Sequence, residues 1–167
     1  LFVGPEGCGT LPMAIAYAQY ILCGNVGGEN VGENTACNLK FEHFSHPDLH
    51  FVFPVAGTDT VKSHAVSDNF MVEWRQFLTE SPYGSLFDWL KNLGIQNKQG
   101  LIGVDEATEI NKKLSLKAYE GGYKVMIIWM ADKMNGPSAN KLLKLLEEPP
   151  AKTVFILITE STSDMLQ

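Results

Sequence analysis

The sequence predicts an α/β protein, a three-layer αβα sandwich with a mostly parallel sheet. Two observations carry this. Lys124 to Met130 (KVMIIWM) and Thr153 to Thr159 (TVFILIT) are apolar runs without alternation, the pattern of strands buried on both faces. Helical periods stand before and between them, and strands that alternate with helices predict a parallel sheet.

The elements follow in order. Leu1, Phe2 and Val3 form the end of a strand that runs into a glycine-rich turn, Gly4 to Gly9. A helix is expected from about Leu11 to Cys23, with Ile15, Ala18 and Leu22 on its inner face. Gly24 to Asn34 is rich in Gly and Asn and predicts a surface loop. Asp48 to Val55, bounded by Pro47 and Pro54, is a short buried strand. Phe70, Trp74 and Phe77 share one helix face, and Leu86, Leu90 and Leu93 share another that stops at Gly94. Ala107, Ile110 and Leu114 mark a third helix, expected to end at Gly121 and Gly122. After the strand Lys124 to Met130 comes a helix from Ser138 to Glu147, with Ala139, Leu142, Leu143 and Leu146 inward and Pro149 and Pro150 as its stop. Neither an internal repeat nor a dividing linker is present, so residues 1–167 read as one domain, with both ends expected to be cut points of a longer chain.

Composition narrows the function. The chain is 45% hydrophobic and 19% charged, a core-forming balance and not that of a disordered chain. Its net charge is −6, and Arg75 is its one arginine. A module that gripped duplex DNA alone would carry a basic face. The apolar runs fall short of the ~20 residues of a membrane span. Three cysteines, Cys8, Cys23 and Cys37, argue against a disulfide framework and for a reducing cytoplasm.

The turn from Gly4 to Gly9 has the glycines and the strand-to-helix setting of a phosphate loop. In such a loop backbone N–H groups cradle phosphates, a lysine reaches the outer phosphates and a hydroxyl holds magnesium. Here the lysine position is Thr10 and the hydroxyl position is Leu11. The loop itself, with Gly4, Gly7 and Gly9, is also compatible with a plain tight turn. At the end of the Lys124 strand, the positions of the magnesium-associated aspartate and catalytic glutamate are Trp129 and Met130, and the nearest acid is Asp132. Both halves of the apparatus are missing.

Ser138 to Pro150 (SANKLLKLLEEPP) resembles the signature helix of clamp-loader AAA+ subunits. The residues that carry it are Asn140, Leu142, Leu143, Lys144, Glu147, Glu148 and Pro149. Lys124–Val125 with Ile127–Ile128 resembles the Walker B strand of that family, Thr153 to Thr159 its sensor 1 strand, and His46–Pro47–Asp48 its HPD triplet. The similarity covers nearly the whole chain and is weakest over 65–99, a helical segment that reads as lineage-specific. It implies a P-loop-type AAA+ core domain. With degenerate Walker motifs, the chain is most similar to the delta-prime subunits of bacterial DNA polymerase III. That resemblance implies a non-catalytic stator supporting ATP-dependent clamp loading, with no cofactor, and with gamma/tau and delta subunits, the sliding clamp and primed DNA as partners. The family's arginine motif matches no residue here. The competing reading is an atypical P-loop ATPase or nucleotide switch.

Members of this family often carry a four-cysteine zinc insert after the first helix. Only Cys23 and Cys37 lie in that region, with His43 and His46 downstream. No C-x-x-C knuckle is present, so these are weak candidates and no zinc is expected. Cys8 in the glycine loop is expected to be a small packed residue. Leu142, Leu143, Leu145 and Leu146 together are more than one buried stripe needs, which leaves either some to face a partner or a core helix with a solvated basic edge at Lys141 and Lys144.

Overall fold

The computed structural model describes residues 1–24, 35–120 and 122–163. Four strands form one sheet: β1 (Phe2–Val3), β2 (Leu49–Val52), β3 (Lys124–Ile128) and β4 (Thr153–Thr159). Their order is β1-β4-β3-β2, and every neighbouring pair is parallel. The helices are α1 (Thr10–Cys23), α2 (Thr35–Glu42), α3 (Met71–Glu80), α4 (Leu86–Asn92), α5 (Val104–Ser115) and α6 (Gly136–Glu147).

The two unalternating strands resolve into a sheet with a core on each face. Phe51, Val125, Ile127, Ile156 and Ile158 belong to one core, with residues of α1 to α4. Val52, Met126 and Ile128 belong to the other, with α5 and α6. Successive strand side chains point to opposite faces, so both sets must be apolar, and the expected three-layer sandwich results.

On α1 the innermost residues are Leu11, Ala14 and Ala18, while Ile15 and Leu22 are only half-buried against the same core. This corrects the expected face. Nearly every residue from Leu11 to Leu22 is apolar, so several stripes qualify, and packing against β3 and β4 selects the one with two alanines. The short helix α2 was not anticipated, and residues 25–34 of the expected loop lie outside the described residues. Helix α5 buries Ala107, Ile110 and Leu114 as expected but ends at Ser115. Lys124 explains the early stop: its ammonium donates to the carbonyls of Leu114 and Leu116, capping the helix end with a buried cation. On α6, Ala139 and Leu142 are buried and Leu146 packs against the α5–α6 core, whereas Leu143 is half-buried and outside both cores. The twelve-residue helix presents its apolar stripe to α5, and Leu143 falls beside that stripe.

The HPD triplet, directly before β2, ties down the segment that leads into β3. The Asp48 carboxylate accepts the N–H groups of Tyr119 and Glu120 at 2.6 and 3.0 Å. His46 is buried, and its Nδ1 accepts the Asp48 N–H at 3.2 Å. Its Nε2 lies 3.2 Å from a Glu120 carboxylate oxygen. Burial holds the imidazole below its ordinary pKa, against the pull of Glu120 and Asp48.

Candidate functional site

The glycine loop joins β1 to α1 at the carboxyl end of the sheet, where open parallel sheets place their ligands. The Gly4 N–H donates to the Thr159 carbonyl at 3.2 Å, which ties the loop to β4. Cys8 N–H donates to the Pro5 carbonyl at 3.1 Å and closes the turn. Gly9 is the N-cap of α1 with φ 89°, a conformation that glycine adopts without steric cost. Cys8 is exposed, not packed as expected, because the turn directs it away from the sheet core.

Thr10 and Leu11 occupy the first turn of α1. Leu11 is buried, so the position that would present a hydroxyl to magnesium is part of the core. Trp129 and Met130 directly follow β3, and both are buried. The Trp129 N–H donates to the Val52 carbonyl at 2.8 Å, and its indole lies 5.2 Å from Trp74 and 6.0 Å from Phe77 between ring centroids. Met130 sits at φ 54°, an uncommon conformation for an unbranched side chain outside turns. The space bounded by the loop, the Trp129–Met130 turn, Thr159–Glu160 and Pro82–Gly84 is about 20 Å³, room for roughly one water.

The charges around this space are acidic. Asp132 pairs with Lys133 at 2.7 Å and accepts a 2.9 Å hydrogen bond from the Thr159 hydroxyl. Burial, followed by the charges of Glu6 and Asp132, raises the Glu160 carboxyl above the usual carboxylate range.

The signature helix α6 begins at Asn135, whose side chain accepts the Ser138 N–H at 2.9 Å. Leu142 is fully buried, and Lys141 donates to the Thr108 hydroxyl on α5 at 2.6 Å. Asn140, Lys144, Glu147, Glu148 and Pro149 are exposed. The signature thus divides into the buried Leu142, the half-buried Leu143 and a polar outer face.

A family model described as "DNA polymerase III, delta subunit" matches residues 1–167. The chain belongs to that family. It is similar to the DNA polymerase III subunit delta' of Haemophilus influenzae, 28% identical over 166 residues that make up 99% of this chain and 38% of the relative. The Escherichia coli subunit delta' is 27% identical over 161 residues, 96% of this chain and 36% of that protein. The Yersinia pestis subunit delta' is 40% identical over 65 residues, 39% of this chain and 19% of that protein. This member of the delta family therefore spans little more than a third of the length of such relatives. A solved gamma-subunit-related protein of DNA polymerase III from Thermotoga maritima is 19% identical, with a TM-score of 0.44 over 83% of this chain and 34% of its own.

In this delta-family chain the expected site residues Gly4, Gly7, Gly9, Thr10, Leu11, Trp129 and Met130 all line the same small cavity. The α6 signature stands apart, on the opposite face of the sheet. The reading of the cysteines as arguing against disulfides is corrected, and the weak metal candidates fall with it: Cys23 and Cys37 are joined in a disulfide, with Cα atoms 5.5 Å apart. The bond ties the end of α1 to α2, and it takes both sulfurs out of reach of a metal. Among the described residues no group of three or more His, Cys, Asp or Glu side chains is placed to hold a metal ion. Sequence reasoning missed Tyr83, which lines the cavity from the α3–α4 turn. Pro82 and Gly84 flag a turn there, but nothing in their spacing sets it beside Gly9.

Proposed function

We propose that this chain is the AAA+ portion of a delta-prime subunit that acts as a non-catalytic stator in the DNA polymerase III clamp loader, with no nucleotide cofactor. In this reading its partners are the gamma/tau and delta subunits and, through them, the sliding clamp and primed DNA. The observation that carries it is the filled phosphate site. Thr10 and Leu11 replace the charged and metal-binding side chains, Trp129 and Met130 replace the acids, and about 20 Å³ is left between them. Family membership supports the complex, and the filled site supports silence within it. A fold is retained without its chemistry when its surface serves the assembly. A cytoplasmic location goes with this role, and no described helix is long and apolar enough to cross a membrane.

Calorimetric titration with ATP and magnesium should show no micromolar binding. Magnesium-dependent micromolar affinity would favour the atypical P-loop ATPase instead. In a reconstituted loader, changes at Thr10 and Leu11 should reduce clamp loading only as far as they unfold the chain. Substitutions on the exposed side of α6, at Lys144 or Glu147, should reduce it while the chain stays folded.

A further inference from the structure

The segment 65–99, which matches the family signature least, supplies one wall of the cavity. Its turn between α3 and α4 brings the Tyr83 ring against Gly9. A Cβ placed on Gly9 would lie 3.2 Å from Tyr83 Cε1, so the ring and the loop are in near-contact. The turn is held from below. A Cβ on Gly84 would fall 2.6 Å from the Phe77 ring, which shows the backbone lying directly on that ring. Phe77 in turn packs beside Trp129. From above, Ser85 and Asp88 form a reciprocal cap on α4, with bonds of 2.9, 2.7 and 3.0 Å. The Gly84 N–H donates to the Ser81 carbonyl at 2.8 Å. The turn that carries Tyr83 is thus fixed at both ends.

We propose that Tyr83 is a built-in stopper of the phosphate loop, and that Trp129 is its footing through Phe77. The two departures from the nucleotide-binding pattern are then coupled in space. The indole that replaces the aspartate at the end of β3 supports the ring that supports the turn that closes the loop. Exclusion of phosphate becomes steric as well as chemical, and restoring the lysine alone does not reopen the site. This rests on the reading of the chain as nucleotide-silent.

The test uses inorganic tripolyphosphate with magnesium as the probe, titrated by calorimetry into four forms of the chain. The wild type checks the silent reading by itself: tight binding there sinks that reading whatever the variants do. Thr10→Lys should gain little affinity, because the stopper remains. Thr10→Lys with Tyr83→Gly should bind at least tenfold more tightly than Thr10→Lys alone. Thr10→Lys with Tyr83→Phe keeps the ring and should behave as Thr10→Lys. Equal affinity of the glycine and lysine-only variants, weak or tight, overturns the proposal, and so does equal gain from the phenylalanine variant. Tyr83 is 63% exposed, so its removal should leave the thermal midpoint close to wild type, and near-UV circular dichroism of the Trp74–Trp89–Trp129 cluster confirms that each variant is folded.

Discussion

Glu106 is fully buried in the first turn of α5, and one of its oxygens accepts both the N–H and the hydroxyl of Ser67, at 2.6 and 2.9 Å. Its other oxygen has no partner among the described residues. Burial wins over the two hydrogen bonds and pushes the carboxyl up to about 7. The folded chain therefore holds this proton more tightly than the unfolded chain does. The stabilisation is complete below the unfolded value near 4.5 and is lost as pH rises through about 7. Its full size is roughly 3 kcal/mol, at about 1.4 kcal/mol for each pH unit of displacement. Urea unfolding should show stability falling across that window. Glu106→Gln should flatten this fall and be the more stable form at pH 8; an unchanged slope would show that Glu106 does not carry it.

Asp48 acts at the scale of an element, because it orders the turn between α5 and β3. Asp48→Ala leaves the Tyr119 and Glu120 N–H groups without their acceptor. The expected cost is roughly 2–6 kcal/mol, at about 1–3 kcal/mol for each unsatisfied group, with rapid amide exchange at those two positions. The disulfide belongs to the same scale. It closes a loop with a sequence separation of 14, for which chain-entropy arguments give about 3 kcal/mol. One thiol, Cys8, should titrate in the folded oxidised chain and three after reduction, with a matching drop in the urea midpoint. Three thiols before reduction would show the bond to be absent.

The elements also show what a sequence can disclose. Strand β4 and the inward residues of α5 were legible because their pattern has one solution: an unbroken apolar run, and a stripe at 3.6-residue spacing. Helix α2 was not, since Thr35, Asn38, Lys40 and Glu42 leave it without a clear apolar stripe. The α1 face was misjudged because an almost wholly apolar helix has many possible stripes. The phosphate-loop residues were legible as a motif, since they are contiguous. Tyr83 was not, because its place beside Gly9 depends on how α3 packs on Trp129.

For the whole molecule, the apolar packing beneath the glycine loop is part of the stability of the fold. Trp129 joins the cluster of Trp74, Phe77 and Trp89, and removing a buried indole costs about 3–5 kcal/mol before any penalty for a buried charge. Domains are stable by only about 5–15 kcal/mol. Thr10→Lys, Leu11→Thr and Trp129→Asp combined should therefore lower the urea midpoint severely. ATP turnover should still be absent by phosphate release, because Met130 leaves no catalytic acid. Turnover in this triple variant would mean that another residue supplies the base.

The strand order β1-β4-β3-β2 also sets a timetable for synthesis. Phe2 is made well before its sheet partner Ile158. At ribosomal speeds of about 5–20 residues per second, the first strand waits on the order of ten seconds for its neighbour. During that interval β2 and β3 can already pair, while the glycine loop has no sheet to be anchored to. The nascent chain thus keeps its phosphate loop unformed until β4 has been made, and the stopper can seat only then.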